Sequence, residues 1–168
     1  QFNILKANTL LYAYKKIPDR DYTERAAQIY EELLKQTPGD TNVLNNLAYL
    51  LAESDYDLER AEQVAAKAYQ NSPDNGLVLD TYGYTLIKNR KYEKAESLLS
   101  RAIQKMELSS TSAPSEVYEH YGLALERLNK PEEAKAAYER ALKTDENLPK
   151  ETQDKLKEKI SRLSKRIF

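Results

Sequence analysis

The feature that most constrains this chain is that it repeats itself. The stretches LNNLAYLLAESDYDLERAEQVAAKAY (44–69), LDTYGYTLIKNRKYEKAESLLSRAI (79–103) and YEHYGLALERLNKPEEAKAAYERAL (118–142) line up, and ANTLLYAYKKIPDRDYTERAAQIYEELL (7–34) follows less regularly. In the second half of each, small residues stand seven apart: Ala61 and Ala68, Ala95 and Ala102, Ala134 and Ala141, with Ala26 and the larger Leu33 in the first. Both halves carry apolar residues at helical spacing, so the unit of about 34 to 39 residues reads as helix, turn, helix. Pro38 and Pro73, followed by Gly39 and Asp74, stand where a helix should stop. One such unit cannot bury its apolar face alone and must stack on its copies, so the chain is expected to be all-α.

Glycine is scarce, with four in the whole chain, which makes the two inside predicted helices informative. Gly83 costs its helix roughly 1 kcal/mol relative to alanine. The same position in the next unit is Gly122 and in the previous one Ala48. A side chain there would hold two stacked backbones apart, and overpacking a core position costs about 1–3 kcal/mol, more than the propensity loss. The position is therefore expected to face the partner helix at its closest approach, with Ala48 showing that one methyl is tolerated.

These positions, in this order, resemble the tetratricopeptide repeat. The third unit supplies Leu79, Tyr82, Gly83, Leu86, Tyr92, Ala95, Leu99 and Ala102; the fourth supplies Tyr118, Tyr121, Gly122, Leu125, Ala134, Tyr138 and Ala141; the second supplies Leu44, Leu47, Ala48, Leu51, Ala61, Ala65, Ala68 and Pro73. The resemblance covers about residues 4–146 and looks most like the tandem repeat proteins of bacteria, many of them envelope-associated. It implies a right-handed superhelical solenoid of four helix-turn-helix units in a single domain, 1–168. Repeat 1 would span about 4–40, repeat 2 about 41–75, repeat 3 about 76–110 and repeat 4 about 114–146. The chain also departs from the family pattern. No tryptophan fills the first large position, Leu11 stands at the small position of the first unit, and the turn KKIPDRDY is about three residues too long. QKMELSSTSAPSE adds about five residues before the fourth unit, so either the preceding helix runs on to about Met106 or residues 109–114 form a surface loop.

After the fourth unit, Leu156, Ile160, Leu163 and Ile167 form one apolar stripe on an otherwise charged segment. A solenoid needs a lid on its last repeat, and a capping helix over about 149–167 would provide it. The alternative is a basic arm, since residues 150–168 hold seven Lys or Arg against three Asp or Glu, but these charges are spread around the polar face.

Composition narrows the function by exclusion. A net charge of −1 drives the chain toward neither nucleic acid nor an anionic membrane, and the thirteen tyrosines map mostly to core positions with no continuous basic stripe beside the rest. No apolar run approaches the roughly 20 residues of a membrane-spanning helix, so no membrane insertion is expected. Starting at Gln1 without a targeting segment, the chain reads as a piece of something longer. Without cysteine it fits a reducing cytoplasm and a bacterial-type envelope equally. His120 is the single histidine, and no phosphate loop or metal-ligand spacing occurs, so neither enzyme activity nor any cofactor or metal is expected. Glu119 and His120 are sequence neighbours and point in different directions on a helix. Glu132 and Glu133 follow Pro131 and suit the positive end of a helix dipole.

In the family, the first helix of each unit lines a concave groove that binds peptide segments of partners. The resemblance places three columns there. The central column reads Tyr12, Tyr49, Tyr84 and Leu123; one flank reads Asn8, Asn45, Asp80 and Glu119; the other reads Thr9, Asn46, Thr81 and His120. A ladder of tyrosines between amides, hydroxyls and carboxylates suits an extended peptide, because rings supply apolar area at low entropy cost and Asn both donates and accepts. A solvated groove tolerant of Tyr and Asn is the plainer alternative. Family members that clamp acidic chaperone tails use cations where this chain has Leu77 and Thr81; only Asn46 matches. Glu116, Glu119 and Glu126, partly balanced by Arg127, predict an acidic fourth unit, with Lys15 and Lys16 basic at the other end. A mixed or apolar partner segment with a basic element toward the C-terminal half is thus expected. Two other readings are self-association into a homo-oligomer through Phe2, Ile4, Leu5 and Leu11 at an uncapped N-terminal end, and a regulatory appendage of a larger enzyme.

Overall fold

A computed structural model describes residues 2–17, 19–109, 112–145 and 147–167, the side chains of residues 2–4, 15 and 167 excepted. Expectations resting on Phe2, Ile4, Lys15 and Ile167 fall on side chains outside that description. The described residues form nine helices and no strand: α1 (Phe2–Lys16), α2 (Arg20–Gln36), α3 (Thr41–Glu53), α4 (Leu58–Asn71), α5 (Gly76–Lys88), α6 (Tyr92–Leu108), α7 (Ser115–Arg127), α8 (Pro131–Thr144) and α9 (Lys150–Ile167). Their start signals are local. Asp19, Asp40, Asp57 and Asn75 each accept from backbone N–H groups in the first turn of the following helix, and Pro131 opens α8. Within the pairs, Asp55, Arg90 and Asn129 take left-handed conformations at φ 49°, 60° and 57°. The next N–H in each case returns to the helix: Tyr56 to the Leu51 carbonyl, Lys91 to Leu86 and Lys130 to Leu125, at 2.8–3.2 Å.

Each helix packs on its successor in the chain, and in addition α1 packs on α3, α3 on α5 and α5 on α7. The second helices make no comparable contact with one another among the described residues. The first helices therefore form the inner layer of a curved solenoid and the second helices its outer layer. At the C-terminal end, Leu156 and Leu163 of α9 are fully buried and Ile160 packs beside them, as a lid requires. No helix among the described residues is long and apolar enough to cross a membrane.

The small-residue rule holds, with a refinement. A Cβ on Gly83 would sit 2.6 Å from Cγ of Leu99, and one on Gly122 would sit 2.6 Å from Cε1 of Tyr138. Even a methyl is too much in those two pairs. Ala48 is tolerated because the residue at the equivalent place in its partner helix is Ala65, so the methyl at Ala48 says nothing about the glycine positions.

Three details differ from the sequence expectations. The extra residues near Asp19 do not lengthen the first turn; α1 ends at Lys16, α2 begins at Arg20, and the surplus adds a turn to the start of α2 under the Asp19 cap. Before the fourth unit both proposed alternatives occur together, since α6 runs on to Leu108 and a non-helical stretch then carries the buried Ala113, with residues 110 and 111 outside the description. In the first pair, Leu11 stays half-buried while Ala7, one turn earlier, is fully buried with Tyr30 in one apolar cluster. The small, fully buried inner-helix residue of this pair is thus Ala7, where the register expected it at position 11.

Candidate functional site

The inner layer brings the central column together in part. Tyr49 and Tyr84 lie with ring centroids 5.8 Å apart and tilted by 35°, and Tyr84 stacks on the His120 ring at 4.2 Å and 20°. Behind this stack His120 Nδ1 lies 2.9 Å from Oδ1 of Asp80, both residues buried. The two hydroxyls are pinned: Tyr49 donates to Glu116 Oε1 at 2.7 Å and Tyr84 to Glu53 Oε2 at 2.8 Å. Aromatic rings held at both ends form a floor whose shape is set before anything binds.

The remaining predicted residues divide. Asn8 accepts from the Tyr30 hydroxyl and, at 3.4 Å, from Asn46 Nδ2, joining the first two units. Tyr12 is 64% exposed with the Lys16 ammonium 5.6 Å from its ring centroid. Asn45 is half-buried, and its Oδ1 is buried with no hydrogen-bond partner among the described residues. Leu123 is half-buried against the main core. Two of the remaining candidates are buried, and a third is exposed with its hydroxyl bonded in its own helix. Thr9 Oγ1 bonds to the carbonyl of Leu5 in its own helix, and Thr81 and Asp80 are buried, the latter tied to His120. Asp80, Thr81 and His120 are therefore buried, with His120 stacked on Tyr84, a correction to the open groove positions expected of them in the flanking columns. Glu119 is drawn off to α9, where Lys159 Nζ reaches it at 2.6 Å.

Electrostatics follow from these contacts. Burial alone would lower the His120 pKa, but the charge and hydrogen bond of Asp80, with Glu116 and Glu119 nearby, outweigh it, so the net shift is upward. Burial, with Glu116 and Glu53 close by, pushes the Tyr49 hydroxyl far up, and burial with Glu53 does the same for Tyr84; both stay neutral donors. The expected acidic end is largely compensated. Glu119 pairs with Lys159, and Glu126 with Arg162 Nη2 at 2.7 Å. Lys159 and Arg162 of α9 thus pair with the chain's own α7, which removes most of the reason to expect a basic element in the partner.

Sequence reading missed a fourth column, nine residues after Ala7, Leu44, Leu79 and Tyr118: Lys16, Glu53, Lys88 and Arg127 at the C-terminal ends of the first helices. The repeat register itself carries that signal, because every unit ends its first helix on a charge. Beside it a cleft of about 600 Å³ opens between α5 and α7, walled by Tyr84, Ile87, Tyr92 and Leu123 and rimmed by Asp55, Lys88, Arg90 and Arg127. No group of three or more His, Asp or Glu suited to a metal ion occurs among the described residues. The arrangement offers rings, amides and fixed charges, which is the chemistry of binding.

Comparison with known proteins agrees with this architecture. Models of the tetratricopeptide repeat match residues 20–76 and 115–148, together more than half of the chain. A TPR repeat-containing protein of Pseudomonas aeruginosa is 34% identical over 87 residues, and the type IV pilus assembly protein PilF of the same organism is 29% identical over 132 residues. These alignments take in 51% and 77% of this chain but span 15% and 50% of the two relatives' lengths. Among solved structures, Pseudomonas aeruginosa PilF superposes with a TM-score of 0.70 at 23% identity, covering 97% of this chain and 69% of that one. MamA superposes at 0.64 and 14% identity (97% and 81% covered), and the first repeat domain of RPAP3 bound to the HSP90 peptide SRMEEVD at 0.59 and 22% (74% and 93% covered). With the repeat spacing, the paired helices and these matches in agreement, the chain belongs to the tetratricopeptide repeat family.

Proposed function

We propose that the concave face of this protein is a non-catalytic binding surface for an extended peptide segment of a protein partner, with residues 1–168 acting as one unit. Domains of this family are generally protein-interaction modules, and an RPAP3 repeat domain of the same fold is bound to an HSP90 peptide. The observation that carries the reading is the preset aromatic floor, Tyr49 and Tyr84 stacked in series on the buried His120–Asp80 pair. Half-exposed rings with pinned hydroxyls offer apolar area that loses little freedom on binding. The Tyr49–Glu116 bond spans the groove from the second unit to the fourth, so a segment lying on the rings either passes beside it or displaces it, at a cost of about 1.5–3 kcal/mol for a bond to a carboxylate.

The test is affinity capture with the protein and with a folded Tyr49→Ala, Tyr84→Ala variant, followed by titration of overlapping peptides from any protein captured. A partner peptide that binds the parent and loses at least tenfold in the variant supports the groove; equal binding to both removes it.

Self-association stays as a second reading because Leu5 and Ile17 at the N-terminal pair are 65% and 66% exposed. Light scattering across a concentration series checks it, and a constant monomer mass would dismiss it.

A further inference from the structure

The cleft between the C-terminal ends of α5 and α7 carries charge that the aromatic floor does not use. Of its three cations, Lys88 is held by Asp55, with Nζ 2.8 Å from Oδ1. Arg90 and Arg127 line the same space, and neither side chain makes a hydrogen bond or ion pair among the described residues. Both are exposed at the rim, above the apolar walls supplied by Tyr84, Leu123 and the buried Ile87.

Arg90 has a second peculiarity. It sits in the left-handed position of its turn, at φ 60°, where the equivalent residues of the neighbouring units are Asp55 and Asn129. Aspartate and asparagine are enriched in that conformation, and a long side chain there is uncommon. The turn itself gives no reason for arginine; the guanidinium facing the cleft does. Two unpaired guanidinium forks close to apolar walls are suited to carboxylates, which each can bind with two parallel hydrogen bonds. Within the lining Lys88 and Asp55 cancel, leaving two positive charges for two negative ones, while Glu53 sits outside the lining with the Tyr84 hydroxyl bonded to it.

We infer that this cleft receives an acidic segment of the partner polypeptide, with two carboxylate side chains reaching Arg90 and Arg127 and an apolar side chain between them resting on Leu123 and Tyr84. The inference builds on the groove reading, since Tyr84 and Leu123 belong to both. It reverses the expectation from sequence that the partner should be basic toward this half of the array.

Fluorescence anisotropy decides it, using three dye-labelled hexapeptides that alternate leucine with glutamate, with glutamine or with lysine. The glutamate peptide is expected to bind at least tenfold more tightly than the other two and to weaken as salt is raised. Combining Arg90→Asn with Arg127→Gln should lower that affinity at least tenfold while the melting temperature holds or rises, because asparagine suits the left-handed turn. No binding of the glutamate peptide at millimolar concentration, equal binding of the glutamine peptide, or unchanged affinity in the arginine variant overturns the inference. Tyr49→Ala lies outside the cleft and separates the two proposals. Loss of affinity there with none in the arginine variant keeps the groove and removes the acidic segment; the opposite pattern keeps the cleft and removes the wider groove.

Discussion

Tyr30 in the first helix pair and Tyr138 in the fourth occupy equivalent places in their helices, both fully buried, yet they are seated differently. Tyr138 lies over Gly122 and its hydroxyl bonds to Glu126, one turn further along α7. In the first pair the residue equivalent to Gly122 is Leu11, which leaves no glycine for Tyr30 to lie over. Its hydroxyl goes instead to Asn8, and the fully buried Ala7 next to Asn8 shares its apolar cluster, the small residue expected to make room for the ring. A bulky side chain on the outer helix thus demands a small one on the inner helix, but the demand can be met at either of two successive turns. The two ends also differ in cover. The fourth pair is roofed by α9, whereas α1 has one buried residue among those described and leaves Leu5 and Tyr12 open.

The contrast can be broken in order of expected effect. Gly122→Leu should cost about 3 kcal/mol or more, because the new side chain meets a ring that has nowhere to go. Chemical denaturation would reveal it, and an unchanged midpoint would mean that the ring does not rest on the glycine. Ala7→Leu should cost about 1–3 kcal/mol if the gap has moved there. Leu11→Ala, by comparison, should cost only about 1–2 kcal/mol, since that leucine is half-buried. Should Leu11→Ala prove the more damaging of the two, the shifted seat is wrong.

Weaker still is the pH dependence confined to the roofed half. His120 has its folded-state pKa raised above the usual 6.5, so its pairing with Asp80 contributes fully below about pH 6.5 and is lost as pH rises through the folded value. The denaturation midpoint should therefore fall across that interval, and Asp80→Asn should flatten the fall; a parallel curve for the variant would exclude this pair as the cause. Smallest of all, Leu5→Ser on the open end should change stability by no more than about 0.5 kcal/mol. A larger loss, read in the same assay, would show that this end is covered in solution.

The sequence exposed the array readily because its signals are local and repeated. Alanines seven apart, Asp or Asn before each inner helix of the middle units, and Pro38 and Pro73 after the outer ones all act within a turn or two of themselves. It misled where the same residues admit two local structures, as at Asp19, which caps an extended α2 instead of prolonging a turn. The groove was legible as columns and illegible as contacts. Asp80 and His120 are 40 residues apart, and nothing in either segment announces that they bury each other. Likewise Lys159 and Arg162 of α9 read as surface charge until Glu119 and Glu126 are seen beside them.

The Tyr49–Glu116 hydrogen bond joins residues 67 positions apart and skips an entire unit. In an array where every contact is between neighbours, units can melt one by one from the ends, and the stability of the whole is close to a sum over adjacent pairs. A tie from the second unit to the fourth breaks that arithmetic. The third unit cannot loosen without stretching it, so units two to four should melt in one cooperative step while the first unit frays ahead of them. Hydrogen exchange would then show one common opening rate across α3 to α8 and faster exchange in α1 and α2, and Tyr49→Phe would be enough to let the middle units exchange separately.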